Sequence, residues 1–187
     1  MGRPKALLPF DATGRTFLSR IVASLHAAGL QDVLVVVGPD APPIEDALRM
    51  YVTGVRVVVN LDPSRGQLSS LLAALDVADR PGVQGLLMTL VDVPLVSSET
   101  IRAIADAYRA AGRPIVRPVK DGRHGHPVIF DRRLFDELRQ ADPALGAKTV
   151  VHRHASEIQE IEVDDEGAFV DIDTPEAYRR WIGDYLG

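Results

Sequence analysis

The chain has 187 residues, a formal net charge of -5, 46% hydrophobic and 25% charged residues, and no cysteine. That length fits a single domain over 1–187. The acidic balance gives no basic footprint for nucleic acid, no segment approaches the ~18 apolar residues that span a bilayer, and the lack of cysteine removes disulfides, thiolate metal sites and a cysteine nucleophile. The opening MGRPKALLPF has only a short apolar stretch interrupted by Pro9 and does not read as a secretory signal, so a cytoplasmic location is expected. An acidic protein that handles phosphates must bring a local cation or metal to them.

Taken in chain order, Thr16 to Ala28 carries apolar residues at helical spacing and stops at Gly29, a C-terminal cap. Val33 to Val37 is a short β-branched run, read as a buried strand. Pro43 to Met50 reads as a helix, Val55 to Val59 as a strand, Leu68 to Val77 as a helix and Gly85 to Val91 as a strand. Continuous apolar runs suit parallel strands covered on both faces, and their alternation with helices predicts an α/β layered fold.

The clearest helix starts at Ser97 or Ser98 as N-cap, runs through Ile101, Ile104, Ala105 and Tyr108, and stops at Gly112. Ile115 to Val119 and Pro127 to Phe130 then flank the polar KDGRHGH as a hairpin-like pair of strands, and Arg132 to Gln140 follows as a helix. Near the end Ile158 to Val163 and Ala168 to Ile172 are expected strands, and Thr174-Pro175 opens a last helix with proline in its first turn.

Five stretches carry candidate chemistry. Arg3-Pro4-Lys5 sets a lysine ahead of an apolar turn, which on its own reads as a solvated terminus. Asp92-Val93-Pro94 follows a predicted strand, at the carboxyl end where α/β sheets bind ligands; the aspartate is a metal ligand or catalytic acid, or a plain helix or turn cap. Asp171-Ile172-Asp173 puts two carboxylates on one face of an extended segment, suited to a hard cation such as Mg²⁺, with a helix cap as the plainer role for one of them. In Gly122 to Pro127, His126 suits phosphate contact or acid–base work, or is a turn histidine. In Asn60 to Leu71, Gly66 lets backbone approach a ligand, and Ser69 and Ser70 sit near a helix start, where base, ribose or phosphate oxygens are met.

In this order and spacing the stretches resemble the MobA-like NTP transferases, and within them the molybdenum cofactor cytidylyltransferases, over Met1 to about Trp181. MGRPKALLPF is similar to the end of the family's glycine-rich loop, NLDPSRGQLSSL to its Asn-to-Gly-to-Ser-Leu segment, VDVPLV to its aspartate-Pro metal motif, GRHGHPVIF to its Gly-His-Pro strand and DIDTPEAY to its closing carboxylate motif. The resemblance implies a Rossmann-like, mostly parallel sheet with helices on both faces, of the nucleotide-diphospho-sugar transferase type. It also implies transfer of CMP from CTP to the terminal phosphate of molybdopterin, with release of pyrophosphate. Lys5 would neutralise the triphosphate as a catalytic residue with Asp92. Asp92 and Asp171 would hold Mg²⁺. Arg3, Asn60, Gly66, Ser69 and Ser70 would lie by the nucleotide, and Pro94, Gly125, His126 and Pro127 by the acceptor. A molybdoenzyme or its chaperone is the protein partner that this reading brings with it.

Members of the family begin with a strand and a Leu-Ala-Ala-Gly-x-Ser-x-Arg-like stretch ahead of Met-Gly. This sequence shows neither, so the first strand is expected to be missing, together with most of the phosphate-cradling amides. Two alternatives therefore stand beside cytidylyl transfer: transfer to a sugar phosphate, and a non-catalytic module that binds or matures the molybdenum cofactor.

Overall fold

The computed structural model describes residues 4–39, 44 and 54–183. The predicted helix Pro43 to Met50 lies outside them, Ile44 apart. Helix α1 (Phe17–Ala27) is set by a capping box: the Ser19 backbone N–H donates to Thr16 Oγ1 at 3.2 Å, and the Thr16 N–H donates to Ser19 Oγ at 2.8 Å. Its stripe of Phe17, Leu18, Ile21, Val22 and Leu25 is buried, and Gly29 at φ +90° turns the chain away as expected.

Strands β1 (Val33–Val37) and β2 (Val55–Val59) pair in parallel, Val33 beside Val55. Helix α2 (Gln67–Ala78) follows and packs across β1 and β2 and onto β3 (Gly85–Met88). β3 stops short of the predicted Val91. Its antiparallel partner begins opposite Met88, and the preceding residue there is Pro127, which has no N–H to extend the ladder. The chain turns instead, with Val93 N–H donating to the Leu90 carbonyl at 3.2 Å, so Asp92 rides on a turn beyond the strand.

Helix α3 (Ser98–Ala111) has Ser97 as N-cap and Gly112 in the left-handed region, both as predicted. β4 (Ile115–Lys120) turns through Asp121 and Gly122, both at positive φ, into the two-residue β5 (Arg123–His124). β6 (Val128–Asp131) lies antiparallel between β3 and β4, while β7 (Ile158–Glu162) pairs with β4 in parallel. The expected helix over Arg132 to Gln140 is a 3-10 turn followed by α4 (Phe135–Arg139), because the Asp131 side chain caps the turn by accepting from the Arg133 N–H. Helix α5 (Lys148–Arg153) carries no clear periodic signal and was not predicted.

The expected strand Ala168 to Ile172 does not form. Asp165 draws the chain into a 3-10 turn over Glu166–Phe169, its carboxylate accepting from the Gly167 N–H at 3.0 Å, and the Ala168 carbonyl is taken by the His126 N–H at 2.9 Å. The last helix, α6 (Pro175–Trp181), opens on Thr174 with proline in the first turn, as predicted.

Helices cover both faces of the larger sheet. On one face Ile115 and Phe130 pack with Leu71, Leu75 and Leu138; on the other, their neighbours Val116 and Ile129 pack with Ile104. The expected α/β layers follow from this alternation. Among the described residues β1 pairs only with β2 and β3 only with β6, and both line one apolar cavity of about 800 Å³. Lys5, Gly38, Gln67 and Ser70 also line it. No helix among the described residues is long and apolar enough to cross a membrane.

Candidate functional site

A fully buried cluster of Leu8, Phe17, Ile172 and Tyr178 decides where the site forms. It locks the N-terminal turn, α1, the closing segment and α6 together. Phe17 stacks on Tyr178 with centroids 5.9 Å apart, and the Tyr178 hydroxyl donates to the Pro9 carbonyl at 2.6 Å. Lys5 lies in a 3-10 turn (Lys5–Leu7) at the edge of this cluster, and it is thereby carried onto residues more than eighty positions away in sequence.

The ammonium of Lys5 forms ion pairs with Asp173 and with Asp92, the latter at 3.5 Å. Partial burial alone would lower its pKa, but the two carboxylates outweigh burial and raise it, so the ammonium stays charged. The Ile172 N–H donates to the Asp92 carbonyl at 2.8 Å, which fixes the Asp171–Asp173 segment against the Asp92 turn. Asp171 and Asp173 are exposed on either side of the fully buried Ile172, so the one-face reading of the two carboxylates survives without a strand.

Desolvation, then repulsion from Asp92 and Asp173, raises the Asp171 pKa. A carboxylate whose folded pKa lies above its unfolded value favours folding only while protonated, and that contribution is lost as pH rises through the folded pKa. At neutral pH its charge therefore opposes folding. We expect Asp171→Asn to raise stability slightly, by about 0.3 kcal/mol after allowance for solvent screening, with the gain disappearing near pH 3. Urea denaturation at pH 7 and pH 3 checks it; a loss of stability at pH 7 would contradict the reading.

Asp92 Oδ1 is buried and has no hydrogen-bond partner. Such an orphaned carboxylate oxygen beside a second carboxylate fits a hard divalent cation. Among the described residues no group of three or more His, Asp or Glu side chains is placed to hold a metal by itself. A cation here would take one or two protein carboxylates and fill its remaining positions from phosphate and water, the habit of Mg²⁺.

The second group of predicted residues meets between the end of β2 and the start of α2. Asn60 follows β2, is 5% exposed, and donates from Nδ2 to Ser69 Oγ at 2.8 Å and to Ser70 Oγ at 3.0 Å. Its Oδ1 accepts from the Asp62 N–H. Asn60 therefore holds the loop to the start of α2. Gly66, at φ +80°, is the N-cap of α2, and Ser69 Oγ lies within bonding distance of the Gly66 and Asp62 carbonyls. Ser70 lines the cavity.

His126, Gly125 and Pro127 come to the same end of β3. The His126 ring is hydrogen-bonded to the Met88 backbone, while Nδ1 is buried without a partner. Burial lowers its pKa against the opposing pull of Asp171, the Met88 bond and Asp92, favouring the neutral imidazole. Gly125 and Pro127 are buried, as is Pro94 in the turn after Asp92, so these three shape backbone more than they present side chains. Arg3 lies outside the described residues. The sequence marks both Asp171 and Asp173 as candidate metal ligands, and the family resemblance carries only Asp171 into the ligand set. Thr174 Oγ1 caps α6 by accepting from the Ala177 N–H at 3.1 Å, which leaves Asp173 free to meet Lys5. The Asp-x-Asp alternation was the signal that pointed to both.

An α/β fold that gathers a lysine, two or three carboxylates and a glycine-started helix at one end of its strands has the build of a nucleotide-handling enzyme. The chain matches the MobA-like NTP transferase domain over residues 1–158, and it belongs to that family of nucleotidyltransferases.

It is similar to phosphoenolpyruvate guanylyltransferase of Sphaerobacter thermophilus, 26% identical over 166 residues that make up 86% of this chain and 74% of that protein. It is also similar to the bifunctional protein GlmU of Bifidobacterium longum, 32% identical over 141 residues. That match covers 73% of this chain and 30% of GlmU, so the chain spans less than a third of that relative's length. Among solved structures, Rv0371C of Mycobacterium tuberculosis in complex with manganese superposes with a TM-score of 0.78 at 31% identity, covering 97% of this chain and 92% of that one.

Proposed function

We propose that this nucleotidyltransferase moves CMP from CTP to the terminal phosphate of molybdopterin and releases pyrophosphate. The observation that carries the reading is the convergence of Asp92 and Asp171 on Lys5, which lines the same cavity as Ser70. Transfer at an α-phosphorus needs positioning and charge neutralisation more than covalent catalysis, and this set supplies both. Lys5 would neutralise the triphosphate. Asp92 and Asp171 would hold Mg²⁺, which when bound lends positive charge to the reacting phosphates and the leaving pyrophosphate. The manganese in the structure of Rv0371C supports a divalent metal for this site. Ser70 and the Gly66 loop would meet the nucleotide, with Asn60 holding them in place. The His126 segment would face the acceptor, and its imidazole would donate to a phosphate only on taking up a proton or releasing the Met88 backbone.

Cytidine and molybdopterin, over guanosine or a sugar phosphate, are favoured by the motif series from MGRPKALLPF to DIDTPEAY. A cytoplasmic location goes with this chemistry. Incubation with CTP, Mg²⁺ and molybdopterin should release pyrophosphate, faster than with GTP or with a sugar 1-phosphate as acceptor. Faster release with the sugar phosphate would move the assignment to that acceptor. No release with any pair, together with acceptor binding by calorimetry, would leave a cofactor-binding module.

A further inference from the structure

Asp173 has no task in the reading above, yet it makes the closer of the two ion pairs of Lys5. Helix α6 does not need it as a cap, because Thr174 fills that place. Among the described residues Lys5 is the ion-pair partner of both Asp92 and Asp173, and Asp171 has none. The ammonium thus lies against the Asp92 carboxylate that would hold a metal, while that carboxylate keeps its other oxygen buried and unpartnered.

A dication and an ammonium repel strongly when they share one carboxylate, so both cannot sit against Asp92 at full strength. The Lys5 side chain is one-third exposed on a flexible four-carbon stem, and an exposed lysine–aspartate pair is weak enough for a triphosphate to displace. We propose that Lys5 is a placeholder cation for the carboxylate cluster and that Asp173 is the positioning residue that keeps it there until a nucleotide triphosphate draws it away. Metal alone then meets a site whose negative charge Lys5 already offsets in part. Metal carried with a nucleotide meets one from which Lys5 has swung onto phosphate. The ion pair thereby couples metal occupancy to nucleotide arrival. This inference rests on the metal-binding part of the proposed function, but not on its acceptor or its base.

The test is Mn²⁺ binding to the full chain, read by electron paramagnetic resonance with and without CTP. Lys5→Met should bind Mn²⁺ alone about five-fold more tightly than the unchanged protein, the scale of an exposed ion pair, and should bind Mn²⁺ with CTP at least ten-fold more weakly. Lys5→Arg keeps the charge and should leave binding of Mn²⁺ alone within two-fold of the unchanged protein. Asp173→Asn should tighten binding of Mn²⁺ with CTP, because Lys5 no longer has to leave a partner.

Equal or weaker binding of Mn²⁺ alone by Lys5→Met overturns the proposal, as does no measurable Mn²⁺ binding by any form. Weaker binding of Mn²⁺ with CTP by Asp173→Asn also overturns it, since that makes Asp173 a metal ligand. If no form binds CTP, the nucleotide reading fails, and the device fails with it. If CTP binds but molybdopterin is not an acceptor, only the acceptor assignment fails and the metal arms still decide this proposal.

Discussion

Asp92→Asn is expected to lower pyrophosphate release by about 10²- to 10³-fold while leaving the fold intact. The side chain gives up one charge at the point where metal and phosphates would meet, and an amide is a poor ligand for a hard cation. Nothing in the fold depends on that charge. The Asp92 contact that positions the closing segment is its backbone carbonyl, which accepts from the Ile172 N–H and is unaffected by the substitution. Oδ1 has no partner to lose, and Lys5 keeps Asp173. Urea denaturation of the variant should therefore differ from the unchanged protein by less than about 0.5 kcal/mol. A stability loss that accounts for the whole activity loss would make Asp92 a turn residue and not a ligand.

Gly125→Ala should destabilise the fold by about 3 kcal/mol, the upper end of the cost of overpacking. A Cβ at Gly125 would lie 2.3 Å from the Ala168 carbonyl oxygen and 2.8 Å from the Phe169 ring. The backbone cannot give way cheaply, because the Ala168 carbonyl accepts from the His126 N–H and the Gly125 N–H donates to the Pro118 carbonyl. The damage would also reach the site, since the same backbone pairing carries His126 to the end of β3. Gly122→Ala is the comparison: its Cβ meets nothing within 4 Å, so only the positive φ counts, at a cost of about 1 kcal/mol. Chemical denaturation of both variants should show the larger loss at Gly125. Equal losses would mean that the Ala168–Phe169 turn yields.

The two glycines look alike in the sequence and differ only in what folding brings against them. Both stand in the polar stretch between Ile115 and Phe130, and the resemblance assigned Gly125 to the acceptor site. Only its neighbour 43 residues later in the chain, Ala168, reveals the packing demand. His126 is similar: its imidazole was legible as a candidate, but its neutral preference follows from burial that no local pattern encodes.

What the sequence determined by itself was everything written in short-range terms. The Ser97 cap, the stops at Gly29 and Gly112, and the β-branched runs of β1 and β2 act over a few residues and formed where expected. The two strand readings that missed, the end of Gly85 to Val91 and the whole of Ala168 to Ile172, were overruled from a distance. In one the partner strand meets Pro127, and in the other Asp165 and the His126 N–H claim the backbone groups a ladder would use. The meeting of Lys5 with Asp92 and Asp173 belongs wholly to the tertiary structure. It depends on burying Leu8, Phe17, Ile172 and Tyr178 together, and burial is a property of surfaces that come into contact only after the chain has folded.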